Sequence, residues 1–314
     1  MDMNSQQARV IDPVLTSHAQ GYKNQKFVGH LLFPRVAVTT RGGKTLKFDK
    51  SAFYLYNARR APGAKTSRIG FGYEGEPFAL VEDSLEVPIP REYQQEAQKV
   101  PGINLAMRGT NLVMHSLRLL LENEQAELAK DASKYSNDQK ITLAGADMWS
   151  DPNSDPINDM DVAKEAVRQS AGVDPNVMVI GSPVFTALKN HPAIVERFKY
   201  TSAESITAQM LANLFDLEHL GVGKAISTGS TMSPDKDDPF QDVWGNVGIL
   251  SYSPQTPQGM EEPSYGYTYT LEGNPMVEVP YYDNPTKSWV VGATYERQPV
   301  QTGIAAGYLF QNLA

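Results

Sequence analysis

The sequence predicts an α+β fold, and three observations carry that prediction. One apolar periodicity of helical spacing runs for about thirty residues, where roughly 8–20 is usual for a globular helix. Behind it, helical patterns alternate with a continuous apolar run, Val177-Met178-Val179-Ile180, typical of a strand buried on both faces. From residue 264 onward the chain reads as successive strands, and the 24 Gly and 21 Pro suit short strands and loops rather than a helical bundle.

Residues 1–30 are polar, include Pro13, sustain no periodicity and read as an extended arm. Residues 33–40 form a strand candidate, Arg41-Gly42-Gly43-Lys44 a turn, and Thr45-Leu46-Lys47-Phe48 a second strand, which together predict a hairpin. Residues 57–78 are rich in Gly and basic side chains and poor in large aliphatics. They cannot bury much apolar surface alone and are expected to lie on something else. Residues 78–82 and 85–90 then lead back to a compact region as strands.

The long helix is predicted over 103–133. Ile103, Met107, Thr110, Met114, Leu117, Leu121, Leu128 and Ala132 recur at helical spacings, and Asn104 is a candidate N-cap. Glu122, Glu124 and Glu127 are expected on the opposite, solvated side. An α/β unit follows. It has a helix over 159–171, a strand over 176–181 and a helix from Ser182-Pro183 to Phe198. A further helix runs over about 204–216, and strands lie near 221–226 and 247–252. Alternating Tyr265, Tyr267 and Tyr269, then 277–279, 289–295 and 304–309, give the final strands.

Charge and composition exclude several function classes. The 28 Lys and Arg against 36 Asp and Glu give a net charge of −8, which argues against a generally basic nucleic-acid binder. The charge is uneven. Residues 1–70 hold 12 basic and three acidic side chains, and the remaining 244 hold 16 and 33. A basic quarter on an acidic body predicts attraction between copies of the chain. With no cysteine, disulfides, thiolate catalysis, Cys-ligated zinc and Fe–S clusters are impossible. The first seven residues lack the basic and apolar regions of a signal peptide, and no run of apolar residues is long enough to span a bilayer.

No motif assigns a reaction, and no catalytic, cofactor-binding or metal-binding residue is expected. Gly70-Phe71-Gly72-Tyr73-Glu74-Gly75 matches G-x-G-x-x-G, but strand residues follow it where a dinucleotide site needs a helix. Gly221-Val222-Gly223-Lys224-Ala225 lacks the earlier Gly and the following Ser or Thr of a phosphate loop. Asp151, Asn153, Asp155, Asp159 and Asp161 are spaced like a calcium loop. Pro156 and Val162 stand where Gly and Glu belong, so a turn-rich linker and an acidic helix start are expected. His18, His30, His115, His191 and His219 show no metal-ligand spacing, and no G-x-S-x-G elbow exists.

Phe33-Pro34-Arg35-Val36-Ala37-Val38, then Gly43-Lys44-Thr45-Leu46-Lys47-Phe48-Asp49-Lys50 and Arg59-Arg60-Ala61-Pro62-Gly63-Ala64, resemble the opening of tailed-bacteriophage major capsid proteins. Val179-Ile180-Gly181-Ser182-Pro183-Val184-Phe185-Thr186-Ala187-Leu188 is similar to their strand-to-helix step, and the order of parts agrees over nearly the whole chain. The resemblance implies an HK97-like capsid fold. Its parts would be an N-terminal arm (1–39), an extended E-loop (40–85), a peripheral domain (86–149) with a spine helix (103–133), an axial domain (150–262), and C-terminal strands (263–314) returning to the peripheral domain.

It further implies a structural protein that needs no cofactor and assembles with its own copies, as pentamers and hexamers, into an icosahedral shell. That shell would enclose double-stranded DNA through non-specific contact. A portal, a possible decoration protein and a separate scaffolding protein would be its partners, the last because no helical prefix precedes the arm. Assembly would take place in the host cytoplasm, with no membrane involved. In that frame Lys44, Lys47, Arg59, Arg60, Lys65 and Arg68 are expected to face acids on another copy, with Glu122, Glu124 and Glu127 as candidate partners. An encapsulin-type nanocompartment shell protein is an alternative. A soluble two-domain α/β enzyme is another, and it would need a pocket with convergent polar groups.

Overall fold

The structure is a computed structural model. It describes residues 12, 15–16, 19, 27–45, 58–60, 65–66, 68, 75, 77–97, 104–199, 205–228, 238–255 and 264–314. In chain order these form α1 (Gly29–Leu32), β1 (Arg35–Val38), β2 (Gly42–Lys44), β3 (Pro77–Ala79), β4 (Val81–Pro90), α2 (Arg91–Ala97), α3 (Leu105–Lys130) and β5 (Lys140–Thr142). Next come α4 (Pro156–Ala171), β6 (Val177–Gly181), α5 (Ser182–Asn190), α6 (Pro192–Phe198), α7 (Ala208–Leu214), β7 (His219–Gly223), β8 (Ile226–Ser227) and β9 (Gln241–Asp242). The chain closes with β10 (Val247–Ser251), β11 (Tyr267–Leu271), β12 (Met276–Val277), β13 (Tyr281–Asp283), β14 (Ser288–Val300) and β15 (Gly307–Gln311).

The long helix starts where its cap requires. Asn104 is extended, and its side chain accepts a hydrogen bond from the Met107 N–H at 3.0 Å. The 26 residues of α3 span about 39 Å. Its first half packs Val113, Met114 and Leu117 against Val291, Ala293 and Tyr295 of β14. Its second half packs Ala126 and Ala129 into a different core, with Val179, Trp244, Ile249 and Leu309. One helix thereby joins both sheets.

The first sheet is organised around β14. β4 pairs antiparallel along one edge, from Ser288 opposite Pro90 to Arg297 opposite Val81. β11, β12 and β13 share the other edge, and β1 adds in parallel to β11. The second sheet has the order β5-β15-β10-β6-β7. β6 lies between β10 and β7 with all five residues buried, which explains its unbroken apolar run. The last strand, β15, pairs with β10 and β5, so the chain end joins the second sheet rather than the first.

Three further expectations are corrected. β1 pairs with β11 rather than with the described part of the segment after it. Gly42–Lys44 is strand rather than turn and pairs with β3, while residues 46–50 lie outside the described residues. The helix expected to run unbroken to Phe198 divides at His191-Pro192, because Pro192 has no N–H for a continuing ladder. The expected strand at 289–295 is 13 residues long and continues through Glu296 and Arg297.

Candidate inter-subunit surfaces

The expected E-loop region is rooted on the first sheet. β2 and β3 pair there, and Phe78 stacks on Tyr269 with ring centroids 4.4 Å apart. Arg41 donates to both Glu296 oxygens, from Nε at 2.6 Å and Nη2 at 2.9 Å. This hydrogen-bonded cation holds the Glu296 carboxyl below the usual carboxylate range. A group with a lowered folded pKa stabilises above its unfolded pKa and loses that contribution as the pH falls through the folded one. Arg41→Ala should therefore speed proteolysis between β2 and β3 severalfold at neutral pH. The gap should close in acid, where the wild type also loses the pair; equal cleavage rates at neutral pH would refute the clamp.

The expected cations are accessible wherever they are described. Lys44 is exposed at the end of β2, as are Arg59, Arg60, Lys65 and Arg68, and Arg60 Nη1 contacts Thr66 Oγ1 at 3.5 Å. Lys47 lies outside the described residues.

The three acids divide, and Glu122 is a correction. It is 2% exposed and faces inward. Its Oε1 accepts from the Val28 N–H at 2.8 Å, the Gly29 N–H at 3.1 Å and the Trp244 indole Nε1 at 2.7 Å. Its Oε2 accepts from Gly29 at 3.0 Å. It therefore fastens the start of α1 and the β9–β10 connection to the long helix. Burial raises its pKa, and these hydrogen bonds oppose the rise. The close approach needs glycine at 29, because a Cβ there would meet Gln125 Oε1 at 2.1 Å. Glu122 therefore contacts its own chain, not a neighbour.

Glu124 ion-pairs within the chain, with Arg297 Nη1. Arg297 is 1% exposed, and its Nη2 also pairs with Asp83 at 2.9 Å. This pairing is how β14 carries a charged residue through the sheet. Burial raises the Glu124 pKa; Arg297 opposes that shift, while Asp83 and Glu127 add to it. Glu127 is exposed and accepts from Asn123 Nδ2 at 2.8 Å.

A groove of about 400 Å³ runs beside these groups, between the second half of α3, the start of β4 and the end of β14. Glu124, Glu127 and Asp131 line it, with Val81, Leu128 and Pro299 as its apolar walls. Sequence reading missed Asp131 and Arg297. The signal for Arg297 was the adjacent Glu296-Arg297 pair inside an otherwise apolar strand pattern.

The motifs that suggested chemistry have structural roles. The His191 ring accepts at Nδ1 from the Ala193 N–H at 3.2 Å, so the proton sits on Nε2, 3.1 Å from the Asp151 carbonyl and 3.2 Å from Ser154 Oγ. A ring held this way cannot take the Ser154 proton. Asp151 Oδ1 closes a turn onto the Asn153 N–H, Asp155 caps α4 through the Asn158 N–H, and Asp159 accepts from the buried Trp149 indole. Gly221–Lys224 spans the end of β7, where a Cβ at Gly221 would meet Leu31 of α1 at 2.6 Å. Most of the 70–75 glycine motif lies outside the described residues. A cleft of about 820 Å³ opens between α1, α3 and β7, and its Glu122, Gln125 and Arg35 are all bonded to the chain's own groups.

Comparison with known proteins places this architecture. A family model described as phage major capsid protein E matches residues 130–261. The major capsid protein of Burkholderia phage BcepMu is 34% identical over 310 residues, which is 97% of both chains. The chain belongs to the phage major capsid protein family. A crystal structure of a phage-related protein from Bordetella bronchiseptica RB50 is 45% identical, superposes with a TM-score of 0.81 and is covered over 98% of both chains. The putative capsid protein of an E. coli CFT073 prophage shares the fold over the full length of both chains, at 12% identity and a TM-score of 0.58. The fold is the HK97-like capsid fold. The protein is a major capsid protein, a structural component of a phage or prophage.

Proposed function

We propose that copies of this chain close into the icosahedral shell of a tailed phage or prophage, as pentamers and hexamers joined by segments that reach from one copy to the next. One observation carries the reading. From residue 50 to residue 73 the sequence holds five Lys and Arg and no acid, and the cations described there are all exposed. A stretch so charged and so poor in aliphatics gains little by packing on itself and is stabilised by an acidic neighbour.

In this reading residues 1–39 are the arm and 40–85 the E-loop that lies on the adjoining copy. A separate scaffolding protein and a portal guide closure in the host cytoplasm, a decoration protein is a possible addition to the finished shell, and double-stranded DNA is held inside by non-specific contact. The subunit carries out no reaction of its own. No helix among the described residues is long and apolar enough to cross a membrane.

Negative-stain electron microscopy of the expressed chain, with and without a co-expressed scaffold gene, tests the reading. Closed shells, tubes or five- and six-membered capsomers are expected. A monomer or dimer in both preparations would overturn it. Arg59→Glu with Arg60→Glu should abolish closed shells, and assembly with unchanged salt dependence would remove these arginines from the contact.

A further inference from the structure

We infer that the open edge of β7, with the cleft beside it, is a docking site for a separate protein, and that it takes an extended, acidic peptide segment as a sixth strand of the second sheet. This inference rests on the shell reading above and names the surface that holds an assembly partner to the subunit.

β7 ends the second sheet. One edge pairs in parallel with β6, from Val177 opposite His219 to Gly181 opposite Gly223, and the other edge meets no strand among the described residues. Its five residues include no proline and no lysine, the devices that usually blunt such an edge. The cleft of about 820 Å³ follows this edge. Gly221 faces α1, where an added Cβ would meet Leu31, whereas Leu220 and Val222 pack into the core on the other face of the sheet. All three line the cleft, which therefore wraps the strand edge rather than lying on one face.

A strand laid on this edge sends successive side chains to opposite faces. Both walls that receive them are apolar. Phe27 and Leu121 stand on the side of α1 and α3, and Phe185 and Ala208 on the side of α5 and α7. The occupant is accordingly apolar at consecutive positions, and main-chain hydrogen bonds to β7 set its register.

Charge decides what flanks the apolar run. Arg35, Arg118 and Lys224 line the cleft, and Glu122 is the one carboxylate among its described lining. Glu122 is taken up by the N–H groups of Val28, Gly29 and Trp244, so it does not offset these cations. Lys224 is exposed at the end of β7 and makes no hydrogen bond or ion pair with any described residue. Carboxylates on the incoming segment complement this surface.

The chain itself does not carry such a segment outside the described residues. Stretches 1–11, 20–26, 46–74 taken whole, and 98–103 are neutral or basic. Stretches 200–204, 229–237 and 256–263 are acidic, but none holds two consecutive large apolar residues. The occupant is therefore assigned to a different protein.

The test pans a displayed library of random ten-residue peptides against the purified full chain. Enrichment of apolar runs flanked by Asp or Glu is expected. A fluorescent synthetic peptide of the enriched sequence should then bind in anisotropy titration, and Lys224→Glu should weaken it about tenfold, with affinity regained when the peptide's acids are exchanged for lysines. Lys224 is exposed, and circular dichroism checks that the variant remains folded. Hydrogen exchange distinguishes strand addition from simple apolar contact: bound peptide should protect amides within residues 219–223. Failure to enrich any such sequence, equal affinity for Lys224→Glu, or binding without protection of β7 would overturn the proposal. So would β7 amides that are already as protected as those of β6 in the free chain, since a segment of the chain itself would then cover the edge. Shells formed by the wild-type chain keep the shell reading whatever the peptides do. Peptide binding by a chain that forms no shell, alone or with a scaffold, overturns the shell reading and leaves the docking site.

Discussion

Glu122→Leu is expected to be among the most damaging single substitutions in this chain. Leucine has similar volume but accepts no hydrogen bond. Three buried donors, the N–H groups of Val28 and Gly29 and the indole of Trp244, then lose their acceptor together. Each donor stranded in the interior costs about 1–3 kcal/mol, so for the three a loss on the order of 3–9 kcal/mol is expected. The affected groups come from the start of α1, from α3 and from the β9–β10 connection, so the loss should also release α1. Chemical denaturation of the purified subunit measures the first effect, and hydrogen exchange at residues 27–33 the second. A midpoint within error of wild type would show that the carboxylate does not organise this junction.

The conservative variant separates charge from hydrogen bonding. The Glu122 pKa is raised in the folded state, first by burial. Such a group favours the folded state fully below its unfolded pKa, and that contribution is lost as the pH rises through the higher folded value. Wild-type stability should therefore gain from mild acidification in this window. Glu122→Gln, which keeps an acceptor but cannot ionise, should lose that part of the pH dependence.

Arg297→Met is the second large effect. Methionine approximates the length of the arginine stem, but Asp83 and Glu124 would face one another without a cation. Removing one partner from a buried ionic cluster typically costs about 3–5 kcal/mol, because the remaining charges keep their desolvation penalty. The deficit should be largest at neutral pH. Glu124 already has a raised pKa, so acidification neutralises it and relieves the unpaired charge. The triple variant Arg297→Met, Asp83→Asn, Glu124→Gln should recover most of the loss. If the single and triple variants unfold at the same denaturant concentration, the ionic cluster is not what secures β14 to α3.

The elements that were legible in the sequence are those whose signals are local. Asn104 caps the helix it was expected to start, and the apolar run at 177–180 became β6, an inner strand of the second sheet. Glu122 was misread because a carboxylate in a helical pattern is assigned to the solvated face by its polarity alone. The neighbouring Gln125, Ala126 and Ala129, polar or small residues beside it, marked a close approach by another segment, but not which segment approached. Asp131 and Arg297 escaped because their shared groove forms only when residues more than 160 positions apart are brought together.

The sequence alone determined the α+β class, the long helix, the absence of thiol chemistry and the basic, acid-free stretch from 50 to 73. It also carried enough resemblance to indicate a capsid subunit. Tertiary structure decided which strands pair, with β1 joining β11 in parallel and the chain end crossing to the second sheet. It also decided which charges are internal, Glu122, Arg297 and Glu296, and which are not buried, Glu127 and Asp131. The reason is physical: caps and periodicities are written over a few residues. Burial of a charge depends on donors and counter-ions supplied from distant parts of the chain, and only the folded packing brings them within hydrogen-bonding distance.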